Sequence, residues 1–274
     1  MSVNSRQWRL VCDSAAEGRW NMAADEAILE AVGAGLVPPT LRLYAWSPAC
    51  LSLGFSQKMA DADLVRLTAR SWQMVRRPTG GKAILHTDEL TYSVALPPDH
   101  PLTVLGIVDS YREISRALMH ALTLMGAAAH SERRSDTAPQ RPGAVCFEVP
   151  SHYEITVEGK KLVGSAQVRR KSGLLQHGTL PLTGDLARIC DALAYPDEIE
   201  REAARQTVLE RAITLNDALG HPVTWDEAAE AVSEGFEAVF GIELVLSGLT
   251  EWERERADLL ADEKHRSLSY LQAR

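Results

Sequence analysis

The stretch GAVCFEVPSHYEITVEGKKLVGSAQVRRKSGLLQHGTLPL, residues 143 to 182, decides how this chain is read. Three runs alternate apolar and other residues: Tyr153, Ile155 and Val157; then Leu162, Gly164, Ala166 and Val168; then Leu174 to Leu180. Period-two alternation interrupted at Glu158-Gly159 and at Lys171-Ser172-Gly173 predicts three antiparallel strands joined by tight turns. Cys146 stands just before the first strand and Lys161 opens the second. Gly164, Ser165 and Ala166 are a run of small residues, where a ligand can lie against a strand backbone. A thiol, an amine and a small-residue floor point to acyl-transfer chemistry.

Working outward, 274 residues of which 45% are hydrophobic suffice for a large core without disulfides or metals. The length fits one large domain or one domain with a small appendage; we expect one catalytic domain over 1–274, with 185–274 as its mainly helical C-terminal part. The net charge of −8 disfavours nucleic acid as a partner, because phosphate backbones require a basic face. Cys12, Cys50, Cys146 and Cys190 are far apart and form no CxxC pair, which argues against a zinc site or a disulfide framework. No apolar run is long enough to span a membrane. The first residues, MSVNSRQWRL, carry no secretory signal, so the expected location is cytoplasmic.

Along the rest of the chain, Trp8 to Cys12 reads as a strand. Asn21 is placed to cap a helix over Met22 to Val32 that Gly33 and Gly35 end. Leu41–Trp46 and Cys50–Phe55 read as strands joined by a turn at Ser47-Pro48, followed by a polar helix over Asp61 to Arg70. Strands are expected over Trp72–Arg76 and Glu89–Leu96. Val108, Tyr111, Ile114, Leu118, Leu122 and Met125 mark one face of a long helix. Residues 127 to 145 are full of breakers and read as a long loop, functional or disordered. Thr224 and Glu227 form a capping box for a helix with Gly241 past its end, and 249 to 265 read as a charged helix. Many short strands followed by helices indicate an α+β protein.

Several side chains are candidates for chemistry. Arg76-Arg77-Pro78-Thr79-Gly80-Gly81-Lys82 sets a glycine turn beside three cations, which suits a phosphate and equally describes a tight turn between strands. It is not a Walker loop, since Arg76 stands where the first glycine would fall and Ala83 follows the lysine. His86, His152 and His177 are isolated and offer no metal-ligand spacing. A Cys146–His152 dyad is open, because six residues of loop fix no geometry. A free cysteine is most often a small core residue, and Cys12, Cys50 and Cys190 are read so. Cys146 differs in following a Pro-Gly break where loop meets strand. Its thiol, near 8.5 unperturbed, needs a cation to favour the thiolate, and Lys161 is the nearest plausible one. Lys160-Lys161 alone would read as solvated hairpin lysines, and Arg169-Arg170-Lys171 as an exposed turn able to meet an acidic partner.

Together these segments resemble a known family. RRPTGGKAILH, residues 76 to 86, resembles the RRxxGGxAVxH segment of lipoate-protein ligases and octanoyltransferases, and GKKLVGSAQ resembles that superfamily's lysine-containing strand. LRLYAWSPACLSLGFSQ, residues 41 to 57, is similar to its R-x-W…GxxQ hairpin. The resemblance runs to about residue 245. The Cys-Phe pair at 146 and 147 resembles the branch that moves octanoyl from acyl carrier protein through a cysteine thioester. ATP-dependent ligases carry an Arg-Asn-Asp type stretch there. Lys82 stands where many ligases have glycine.

The resemblance implies a biotin/lipoate protein ligase (class II synthetase-like) catalytic domain, α+β, with mixed sheets flanked by helices. It implies Cys146 as nucleophile and Lys161 beside the acyl carbonyl, with no metal or cofactor. Arg76, Arg77, Gly80, Gly81, His86, Gly164, Ser165 and Ala166 become the substrate-binding set around an apolar tunnel. The implied partners are octanoyl-acyl carrier protein and a lipoyl domain or glycine-cleavage H protein. Such partners are acidic, so a local basic face is expected from Arg76, Arg77, Lys82, Arg169, Arg170 and Lys171. Two rivals stand beside this reading: an ATP-dependent lipoate-protein ligase, and a non-catalytic protein that binds acyl or lipoyl groups.

Overall fold

A computed structural model describes residues 6–132 and 154–272. In chain order the elements are β1 (Gln7–Cys12), α1 (Gly18–Gly33), β2 (Thr40–Tyr44), β3 (Cys50–Leu53), α2 (Leu64–Ala69), β4 (Gln73–Arg76), β5 (Ile84–His86) and β6 (Glu89–Leu96). There follow α3 (Pro101–Val104), α4 (Ile107–Leu124), β7 (His130–Glu132), β8 (Glu154–Val157), β9 (Lys160–Arg170) and β10 (Gly173–Pro181). The chain continues through α5 (Glu198–Arg211), α6 (Leu215–Leu219), α7 (Trp225–Phe240), β11 (Glu243–Leu246), α8 (Glu251–Leu260) and α9 (Leu268–Gln272).

Among the described residues the strands form two sheets. The larger has the order β11-β1-β2-β6-β10-β9-β8-β7, and the smaller the order β4-β3-β5. The β8–β9–β10 meander is antiparallel as its alternation requires, and β10 pairs onward with β6. β6 and β10 are buried along their whole lengths, because helices and the small sheet cover both faces. On one face α4 packs against α7, and on the other α1 packs against α8. Burial of these apolar faces, at about 25 cal/mol per Å² removed from water, is the main stabilising term. α7 begins at the Thr224/Glu227 capping box and ends at Gly241 in the left-handed region, as the sequence predicts. A buried Arg9–Glu253 ion pair ties α8 to β1.

Several expectations are corrected. α1 starts at Gly18 behind Glu17, so Asn21 is an interior residue. Its amide donates to the Ala16 and Ala45 carbonyls, a tertiary bridge in place of a cap. β2 and β3 do not form a hairpin: β2 joins the large sheet and β3 the small one. The polar helix is shorter, beginning after Asp63, whose carboxylate caps the Arg66 amide. Cys12 is exposed at the end of β1, whereas Cys50 and Cys190 are buried as expected. Residues 127 to 132 turn into strand β7, and the remainder of the expected loop lies outside the described residues. No helix among the described residues is long and apolar enough to cross a membrane.

Candidate active site

A pocket lies where the small sheet meets the large one. Met22 of α1, Tyr44 and Trp46 at the end of β2, and Ile84 of β5 supply its apolar wall. Gly164, Ser165 and Ala166 of β9 floor it beside His177, Gly178 and Thr179 of β10. Gly178 has to be glycine, since a Cβ there would sit 2.6 Å from the Gly164 carbonyl oxygen. Of the eight expected substrate-binding residues, Arg77, Gly81, His86, Gly164, Ser165 and Ala166 line this one pocket. Ser165 contributes less than expected, because its hydroxyl turns to the Tyr92 hydroxyl, 2.7 Å away.

Lys161 reaches the same face by a break in register. Val163 pairs with Ile155 but Lys161 pairs with Thr156, so two steps along β9 match one step along β8. Adjacent residues of β8 point to opposite faces. Lys161 therefore faces away from Val163 and shares the side of Gly164 and Ala166. It is only 4% exposed, and its ammonium meets the Glu154 carboxylate at 3.0 Å. A solvated hairpin lysine is thus ruled out. Cys146, Cys146–His152 geometry and the distance from Cys146 to Lys161 lie outside the described residues.

Two buried carboxylate–imidazole–hydroxyl relays back the pocket. In the first, His86 Nδ1 lies 2.7 Å from Glu89 and His86 Nε2 lies 2.8 Å from the Ser52 hydroxyl. Trp46 lies flat on His86 and donates its indole N–H to Thr91, whose hydroxyl donates to Glu89. In the second, His177 Nδ1 is 3.0 Å from Asp25 and Nε2 is 2.7 Å from the Thr79 hydroxyl. Burial alone would raise the Asp25 carboxyl, but the His177 hydrogen bond and the Arg42 charge hold it below the ordinary range. Arg42 also meets Asp13 and the Asn21 side chain. Burial likewise opposes ionisation of Glu89, and His86 outweighs it to keep that carboxyl low. Burial pushes the His177 imidazole down in spite of Asp25, which leaves it neutral. Asp25, Ser52, Trp46 and His177 were not legible as site residues, since each gains its meaning from a partner far along the chain, and Glu89 only through the His86 that Ser52 engages from another strand.

The two arginines of the glycine turn are not where a docking face needs them. Arg76 and Arg77 are 1% and 3% exposed. Arg76 donates to the carbonyls of Gly54, Gln57, Tyr270 and Leu271. Arg77 donates to those of Ser52, Gly80 and Lys82. Neither is turned to an incoming phosphate or an acidic partner, because the folded loop satisfies its carbonyls with them. Arg76 does not line the pocket, and exposed Gly80 stands just outside it. Arg169 is also partly buried, bonded to the Thr103 carbonyl and to Ser110. Arg170 and Lys171 remain exposed, with no ion pair recorded among the described residues.

No group of three or more His, Cys, Asp and Glu residues suited to a metal occurs among the described residues. A mainly apolar pocket with few, mutually bonded polar groups is suited to an aliphatic chain.

Comparison with known proteins follows the same line. Residues 17–237 match the model of the lipoyl protein ligase A/B catalytic domain. The chain is 42% identical over 258 residues to octanoyltransferase LipM of Kyrpidia tusciae, covering 92% of this chain and 94% of that one. It is 38% identical over 260 residues to octanoyltransferase LipM of Brevibacillus brevis, covering 93% and 94%. Among solved structures, the bi-partite lipoate protein ligase of Thermoplasma acidophilum, described with its E2 lipoyl domain, superposes with a TM-score of 0.81 at 26% identity, covering 97% of this chain and 96% of that one.

Proposed function

The chain belongs to the lipoyl protein ligase A/B catalytic-domain family, and from that premise we propose that it is an octanoyltransferase of lipoate biosynthesis. The donor in this reading is the octanoyl thioester of acyl carrier protein. The Cys146 thiol gives up its proton, the thiolate attacks the carbonyl carbon, the bond to the carrier's sulfur breaks, and that sulfur takes up the proton so that the carrier leaves as its thiol. The amine of a lysine on a lipoyl domain or glycine-cleavage H protein then attacks the Cys146 thioester. An amide forms, and Cys146 leaves as thiolate and takes up the proton the amine loses. Lys161 assists both deprotonations and stabilises the oxyanion of each step. In this reading 1–274 is one catalytic unit that includes the 185–274 part, and it works in the cytoplasm.

The observation that carries this reading is the pocket floor. Gly164 and Ala166 give the pocket a small-residue floor on β9, against which an aliphatic chain can lie, and the register break at Lys161 is consistent with its ammonium sharing that side. About seven buried methylene or methyl groups at ~0.8 kcal/mol each give ~5 kcal/mol, enough to discriminate chain length. Intact-mass measurement after mixing with octanoyl-carrier protein tests it. A hydroxylamine-labile octanoyl adduct is expected on the wild type and not on Cys146→Ala; an adduct on both removes Cys146 from the mechanism.

The second reading, ATP-dependent lipoate ligation, is favoured by the likeness to the Thermoplasma acidophilum ligase. It requires turnover to stop when ATP and magnesium are omitted, whereas thioester transfer continues without them.

A further inference from the structure

The relay behind the pocket does not end at Ser52. Arg77 Nη1 lies 3.0 Å from the Ser52 carbonyl oxygen and 3.1 Å from its hydroxyl. The same guanidinium donates to the Gly80 carbonyl through Nε and Nη2, at 3.2 and 2.9 Å, and to the Lys82 carbonyl at 2.6 Å. Glu89, His86, Ser52, Arg77 and the glycine turn thus form one continuous chain of hydrogen bonds. All four side chains are buried: Glu89 6%, His86 5%, Ser52 0% and Arg77 3% exposed.

The proton order along this chain follows from its two ends. An ionised carboxylate only accepts, so His86 Nδ1 carries the hydrogen that faces Glu89. With a neutral ring, Nε2 is then an acceptor, and the Ser52 hydroxyl donates to it. The oxygen of Ser52 is left to accept from Arg77, which donates and never accepts. In this arrangement every member is satisfied. In the reverse tautomer Ser52 would accept from both His86 and Arg77, and its own O–H would be directed at the apolar pocket, a costly placement for an unpaired donor.

We propose that Glu89 is a positioning residue of the acyl pocket: through His86 and Ser52 it sets the Arg77 guanidinium, and thereby the Gly80–Lys82 turn, whose Gly81 lines the pocket. This rests on the acyl-pocket reading above. Gly81 is held at φ +88°, and a Cβ at Gly54 would lie 1.9 Å from the Gly81 carbonyl oxygen. A turn fitted this closely has little room to shift without changing the wall of the pocket. Glu89 faces the His86 side of the pocket, and in this scheme it acts on chain binding and not on bond making.

The test uses the full chain and a small octanoyl thioester. Glu89→Gln, Ser52→Ala and the double variant are compared for KM and kcat, with melting temperatures as a fold control. Each single variant should raise KM about tenfold, the scale of one buried hydrogen bond, with kcat within about twofold. The double variant should be no worse than the poorer single, because both cut the same chain. Nitrogen-15 spectra of the imidazoles should show His86 protonated at Nδ1 alone in the wild type and shifted to Nε2 in Glu89→Gln. Effects that multiply in the double variant, or wild-type His86 carrying hydrogen at Nε2, would overturn the proposal. Should Glu89→Gln not fold, an unchanged KM in Ser52→Ala overturns it alone. A wild type that takes no octanoyl group sinks the acyl-pocket reading instead, so the two failures are distinct.

Discussion

Trp46 lies face to face with His86, ring centroids 3.9 Å apart and planes within 9°. Trp46 follows β2 of the large sheet and His86 ends β5 of the small one, and their stack forms part of one wall of the pocket. Trp46→Ala removes the stack and the hydrogen bond to Thr91 and enlarges the slot. The expected cost is about 3–5 kcal/mol in chemical unfolding. The surviving enzyme should shift its preference from octanoyl toward decanoyl or dodecanoyl thioesters in direct competition. Unaltered chain-length preference would show that the acyl chain lies elsewhere.

Lys161 is buried against Glu154 on the pocket's face of β9. Lys161→Ala is expected to lower the rate of acylation by roughly 10²–10⁴, the range of a positioned acid–base group. Single-turnover acylation, followed by mass, measures it. A variant acylated at the wild-type rate would restrict Lys161 to a structural part.

Stability should fall in acid, and two groups give the sign. His177 is depressed by burial, so below about pH 6.5 the unfolded imidazole binds a proton that the folded one refuses. Asp25 is also depressed; its contribution is present above the unfolded carboxylate range, near 3.9, and is lost as pH falls through its folded value. Both slopes run the same way, so the melting temperature should drop from pH 7 to 5.5 and further below 4.5. His177→Asn should flatten the first part of that curve. The same slope in the variant would assign the effect to other groups.

Arg76 holds the C-terminal segment to the loop after β3 by donating to the Tyr270 and Leu271 carbonyls as well as to Gly54 and Gln57. Lys264 and His265 secure the same segment to Glu26 of α1. Arg76→Ala leaves several buried carbonyls without their donor, at about 1–3 kcal/mol each. Residues 261–272 should then exchange amide hydrogens faster and be cut by protease. A tail as protected as in the wild type would contradict this.

With Arg76 and Arg77 buried, the proposed docking of an acidic carrier falls to Arg170, Lys171 and Lys82. Arg170→Glu with Lys171→Glu should slow acylation by carrier protein several-fold more than acylation by a small thioester, and the gap should narrow with salt. Equal slowing with both donors would move the docking face elsewhere.

Much of the fold was legible because strand alternation and capping chemistry are local. Ile155 and Val157, Leu174 to Leu180, and the Thr224/Glu227 box each declare their element within a few residues. The floor of the pocket was legible as a run of small residues within one strand, at Gly164 and Ala166. Arg76 and Arg77 misled because charge in a sequence does not say whether carbonyls or solvent will receive it. Asn21 misled for a like reason: the same amide that caps helices can bridge two segments.

The sequence by itself determined the elements, the meander and the small-residue floor, since these follow from side-chain period and size along short stretches. Only the tertiary structure decided which sheet β2 and β3 joined, which face Lys161 took, and that His86 and His177 would each stand between a carboxylate and a hydroxyl. Those outcomes depend on residues tens to more than a hundred positions apart meeting in a low-dielectric interior, where a polar group is stable only once its partner has arrived.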